Sequence, residues 1–103
     1  MTDLEIDRAL ALAIGWTEDR MTILSGQLVL AYTIGPEWLS YSRVFSHKDW
    51  NVIGPIAELY NVFPYRWHDG RWGAPRFTIL HYADTPQKAI ALAVIAERGC
   101  HEK

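Results

Sequence analysis

The sequence predicts an α+β domain, in which a mainly antiparallel sheet is covered by helices on both faces: an α-β-α sandwich with three helices and about four strands. Three features point there. Capped, helix-periodic segments open and close the chain, with a third near its middle. The stretches between them are rich in aromatic and β-branched residues and are punctuated by glycine turns. The strand expected over residues 71–82 is apolar on both sides, with Phe77 and Ile79 facing one way and Leu80 and Tyr82 the other, which suits a sheet with no wet face.

The first element rests on cap chemistry. Thr2 and Glu5, three residues apart, form a capping box in which each side chain satisfies the other's free backbone N–H. Ile6, Ala9, Leu10, Ala13 and Ile14 follow at helical spacing, and Gly15 supplies a left-handed stop. Asp3, Glu5 and Asp7 place negative charge where the helix dipole favours it. The helix is expected over about residues 3–14.

Residues 17–45 carry weaker signals. Met21–Leu24 and Gln27–Ile34 read as strands turning at Ser25-Gly26, and Gly35-Pro36 ends the second. Residues 37–45 follow no clean period and are expected to form a long connection with one short edge strand. A second helix is expected within 48–60, with Ile53, Ile56, Ala57 and Tyr60 on one stripe. Ser46 or Asp49 caps it, and Asn61 is its left-handed stop. Pro55 lacks a donor and crowds the carbonyl four residues earlier, so this helix is expected to start late or bend near Gly54.

Val62–Trp67 and Arg71–Tyr82 then read as strands joined at His68-Asp69-Gly70, since Asp-Gly between aromatic-rich runs favours a hairpin. Thr85-Pro86 opens the last helix, a hydroxyl cap followed by proline at the first helical position. Ala89, Ile90, Leu92, Ala93 and Ala96 form its apolar side, and Gly99 ends it. Residues 1–103 are read as one domain, with 100–103 a fraying tail.

Three segments resemble a family of small phage and prophage proteins carrying a phage ABA-sandwich domain, related to the NinX-like proteins of unknown function. They are Leu4-Glu5-Ile6-Asp7 with Ala11 and Ile14-Gly15-Trp16, then Phe45-Ser46-His47-Lys48-Asp49-Trp50-Asn51 with Gly54-Pro55-Ile56, Glu58 and Tyr60, and Ala83-Asp84-Thr85-Pro86-Gln87-Lys88-Ala89-Ile90. Residues 17–44 and Val62-Phe63-Pro64 carry none of the likeness. The resemblance implies an α-β-α sandwich of viral origin and no reaction or site residue. A fold by itself fixes no function.

Charge and composition narrow the chemistry. Ten basic residues against twelve acidic give a net charge of −2, so a broad nucleic-acid footprint is disfavoured while a local patch stays open. Cys100 is the single cysteine, which excludes an internal disulfide and a multi-thiolate zinc site and suits a reducing cytosol. The acidic start Met1-Thr2-Asp3-Leu4-Glu5 lacks a signal-peptide pattern, and no apolar run approaches the ~20 residues of a membrane span. A cytoplasmic location in the bacterial host is expected, with no membrane partner.

Among the five tryptophans (Trp16, Trp38, Trp50, Trp67 and Trp72), two flank the Asp-Gly turn beside arginines. Arg66, Trp67, Arg71 and Trp72 are the candidate partner-binding residues. Packing of large aromatics explains them more simply than base stacking on a sheet does. His47, His68, His81 and His101 are scattered, so no metal is expected. Ser46-His47-Lys48-Asp49 has the residue types of a triad at the wrong spacing, and capping accounts for it. Asp84 with Lys88 sits at helix i, i+4 spacing, and no glycine-rich phosphate loop occurs. No catalytic residue and no cofactor are expected. The leading expectation is a non-enzymatic protein that binds another protein or itself through sheet-edge or hairpin aromatics. The alternative is a single-stranded nucleic-acid binder using the Arg/Trp hairpin; a small enzyme with a pocket at one end of the sheet is a third class.

Overall fold

Cap chemistry sets the first helix where the sequence places it. In a computed structural model that describes residues 2–33, 40–76 and 79–99, helix α1 spans Asp3–Ala13. The Thr2 N–H donates to Glu5 Oε1 at 3.0 Å, and the Glu5 N–H donates to Thr2 Oγ1 at 3.2 Å. At the other end Gly15 takes φ +108°, which lets the Trp16 N–H reach back to the Ala11 carbonyl at 3.0 Å and the Gly15 N–H to Leu12 at 3.2 Å. This wrap satisfies carbonyls that the helix would otherwise leave open. A 3₁₀ turn, Glu18–Arg20, follows, tied to α1 through an Arg8–Glu18 ion pair.

Six strands form among the described residues, in two three-stranded antiparallel sheets. The first holds β1 (Met21–Leu24), β2 (Gln27–Thr33) and β3 (Ser40–Val44) in that order. Its β1–β2 turn falls at Ser25-Gly26, both at positive φ. β3 is the short edge strand expected within 37–45. The second sheet holds β4 (Tyr65–Arg66), β5 (Trp72–Arg76) and β6 (Ile79–Ala83).

The expected single strand over Arg71–Tyr82 is therefore two strands paired on each other, with Arg76 opposite Ile79. Between these two strands the sequence holds no glycine, asparagine or aspartate to announce a turn. Phe77, like Trp38, Gly35-Pro36 and the 100–103 tail, lies outside the described residues, as do the side chains of Ile79, Leu80, His81 and Tyr82. The Val62–Trp67 strand contracts to Tyr65–Arg66, because Pro64 has no N–H to lengthen the ladder.

Helix α2 spans Trp50–Tyr60, with Asp49 as its cap accepting the Asn51 N–H at 2.9 Å. Asn61, at φ 57°, ends it as the sequence suggests, and the buried Val62 donates back to the Ala57 carbonyl at 2.9 Å. The helix does not start late to avoid Pro55, which lies inside it. The carbonyl that Pro55 leaves without an i+4 donor belongs to Asn51, and the Arg43 guanidinium donates to it at 3.4 Å. Helix α3 spans Pro86–Gly99, with the Thr85 hydroxyl accepting the Lys88 N–H.

The architecture is α+β with antiparallel sheets and three helices, as the sequence predicts. α3 is its centre. It packs on α1, on α2 and on both β5 and β6, while α1 also lies on β2. The core joins Ile6 and Leu10 of α1, Leu28 and Leu30 of β2, Ile53 of α2, and Ile90 and Val94 of α3. No described helix is long and apolar enough to cross a membrane.

Candidate functional site

The β4–β5 hairpin brings the four candidate residues together. Arg66 and Trp72 are directly opposite in the ladder, and the Trp67 N–H donates to the Arg71 carbonyl at 2.8 Å. Gly70, at φ +91°, gives the turn its left-handed position, and its N–H donates to the Trp67 carbonyl at 3.0 Å. Asp69 holds the turn from inside, accepting the Arg71 N–H at 3.1 Å and Arg71 Nε at 2.7 Å. Those two hydrogen bonds and the guanidinium charge hold the Asp69 carboxyl below its ordinary value. The Arg71 charge is thus engaged within the turn, while Arg66 is exposed.

The two tryptophans differ in surroundings. Trp72 is half-buried against the hydrophobic core. Trp67 is half-buried in an aromatic cluster, its ring 5.4 Å from that of Tyr65 and 6.4 Å from that of His68. Tyr65 sits on β4, an edge strand, and is 42% exposed. Just upstream, Phe63 is 58% and Leu59 75% exposed. The run from Leu59 to Trp67 therefore offers more apolar surface than the four-residue list anticipates.

A second feature has no counterpart in the sequence reading. Between the first sheet and α2 lies an open cleft of ≈ 420 Å³. Its buried floor is Leu30, Phe45, Val52 and Ile56, its half-buried wall includes Ile14, Trp16 and Tyr32, and Arg43 and Asn51 stand exposed at its rim. Strand alternation would have placed Arg43 beside Leu30 had the register been known. Residues 37–45 have no period from which to infer one.

The third arrangement is a buried carboxylate–imidazole pair. Asp7 Oδ1 accepts the His47 backbone N–H at 2.7 Å and lies 2.6 Å from His47 Nδ1. His47 is 1% exposed, and the pair clasps α1 to the β3–α2 connection. Outside it, Lys48 Nζ lies 2.5 Å from Asp3 Oδ2. That hydrogen bond holds the Asp3 carboxyl below, and the Lys48 ammonium above, its ordinary value. In sequence, Asp3 and Asp7 fit the helix dipole, and nothing near His47 announces its partner. The one available signal was their i, i+4 spacing on one helix face.

Among the described residues, no group of three histidine, cysteine, aspartate or glutamate side chains converges as metal ligands. Comparison of the chain with protein-family models and with curated proteins finds no match in either.

Proposed function

We propose that this protein is a non-enzymatic interaction module of phage or prophage origin, working in the host cytoplasm, which binds a protein partner along the β4 edge and the turn that follows it. The observation that carries the reading is the exposed apolar run at Leu59, Phe63 and Tyr65, continued by the Tyr65–Trp67 ring contact. Soluble domains seldom leave large apolar side chains grouped at a strand edge unless something covers them. Aromatic residues are also the ones that protein interfaces favour. The phage origin rests on the resemblance of the three segments described above.

Binding of single strands at the same hairpin has less in its favour. Arg71 is neutralised by Asp69, which leaves Arg66 as the free guanidinium of the turn among the described residues. One cation supplies little of the phosphate attraction on which such binding depends.

The test is a comparison of wild-type protein with Phe63→Ser and Tyr65→Ser as baits in prophage-carrying cells. Captured protein should be lost with either variant while the circular dichroism of the bait is unchanged. Loss of a central interface aromatic costs about 2 kcal/mol or more, roughly thirty-fold in affinity. Capture that both variants retain would remove the β4 edge from consideration. Saturable oligonucleotide binding that collapses with added salt would replace this reading with the nucleic-acid one.

A further inference from the structure

One arginine stands on a face of the first sheet that is otherwise apolar or aromatic. In the β2–β3 register Leu30 is opposite Arg43 and Tyr32 opposite Tyr41, and the Phe45 N–H bonds the Leu28 carbonyl. Side chains directly opposite share a face. Leu28, Leu30 and Phe45 of that face are buried, and the Tyr32 and Tyr41 rings stack at 5.7 Å. Arg43 is the charged member of this row. Among the described residues its partner is a backbone oxygen, that of Asn51 at 3.4 Å, and no described carboxylate pairs with it. A guanidinium carries five N–H donors in a fork that fits a carboxylate, so the described residues leave most of its capacity unused.

The cleft beneath it has the complementary character. Its ≈ 420 Å³ lie in the range of small-molecule sites, with a floor of buried aliphatic and aromatic side chains. We propose that this cleft binds a small free carboxylate with an apolar body, the body lying on Leu30, Val52 and Ile56 and the carboxylate on the Arg43 guanidinium. Trp16 and Tyr32 close over the body from the sides, and Asn51 at the rim offers its amide to the second carboxylate oxygen. The site lies on the first sheet, whereas the β4 edge belongs to the second, so this inference does not rest on the partner-binding reading.

Titration of full-length ¹⁵N-labelled protein with decanoate and 4-phenylbutyrate, each beside its neutral primary amide, tests the assignment. At least one acid should shift the Trp16 indole signal and the Val52 and Ile56 amides saturably, and bind at least ten-fold more tightly than its amide. Arg43→Gln should abolish that preference and leave acid and amide equal, while Arg43→Lys should keep part of it. Ile14→Trp, which narrows the cleft, should weaken acid and amide alike. The acid–amide comparison needs no variant, so it stands even if a substitution disturbs the fold. The proposal is overturned if neither acid saturates these signals, if acid and amide bind equally to the wild type, or if the preference survives in Arg43→Gln.

Discussion

Asp7 illustrates how far one residue's role depends on a partner that local sequence does not reveal. Its carboxylate accepts the His47 backbone N–H and lies 2.6 Å from His47 Nδ1 inside the protein, so truncation strands a buried backbone donor and removes the ring's partner. Asp7→Ala is expected to lower unfolding free energy by about 3 kcal/mol. Asp3→Ala, which removes an exposed ion pair, is expected to leave the midpoint almost unmoved. Urea denaturation of both variants checks the contrast, and equal small losses would mean the clasp is not formed in solution. Arg43 and His47 share one history at this scale. Each is an ordinary polar residue in sequence, and each acquires its meaning from a contact whose register could not be read beforehand. The hairpin residues were readable because Arg66, Trp67, Arg71 and Trp72 are brought together by one tight turn, whatever the rest of the chain does.

Elements whose boundaries are set by local chemistry were foreseeable, and those set by tertiary contacts were not. The Thr2–Glu5 box, the Asp49 cap, the Asn61 stop and the Asp-Gly turn are all short-range signals, and all four occur where the sequence puts them. Thr2→Ala should accordingly cost about 0.5–2 kcal/mol, seen as a lower denaturant midpoint at unchanged slope. The same box sets an acid response. Hydrogen bonding from the Thr2 backbone and hydroxyl holds the Glu5 carboxyl below its ordinary 4.5. A carboxyl depressed on folding contributes stability that is complete above its unfolded value and is lost as pH falls through its folded value. Stability should thus decline below pH 4.5, and Glu5→Gln, which keeps the box but cannot titrate, should show a shallower decline. A Glu5→Gln curve parallel to the wild type would refute this. Pro55 is the opposite case. The helix continues through it because Arg43 on β3 serves the stranded Asn51 carbonyl, a compensation invisible to any local rule. Proline costs a helix interior about 3 kcal/mol relative to alanine, part of which its stiffness returns in the unfolded chain. Pro55→Ala should therefore raise stability by about 1–2 kcal/mol. A lowered midpoint would show that ring packing at the cleft outweighs backbone geometry.

At the scale of the whole molecule, α3 is what makes two small sheets into one protein. Three strands alone are near the lower limit of independent stability; the first sheet meets α3 through α1, which lies on β2, and the second packs on α3 directly. The halves are expected to unfold together. Indole signals of Trp16, beside the first sheet, and Trp72, within the second, should report the same urea midpoint. Distinct midpoints would mean that the sheets behave as separate units. This coupling explains why the α+β class could be read from periodicity while the division of the strands into two sheets could not. Class follows from the alternation of element types along the chain. Strand partnership follows from which helices lie between them, and that is decided only when the core is assembled.

The clasp between Asp7 and His47 also has a temporal consequence. Its ends are 40 residues apart, and the whole β1–β2–β3 meander is threaded between them. The entropy of closing such a loop rises only with the logarithm of its length, but the closure is rewarded only once α1 and the β3–α2 connection are both in place. α1 and the Ser25-Gly26 turn are local and can organise first, so the clasp is expected to form late on the way to the native state. Interactions formed late act on the rate of escape more than on the rate of arrival. The buried pair is then expected to act as a latch, setting how long the assembled molecule lasts and hardly at all how quickly it is made.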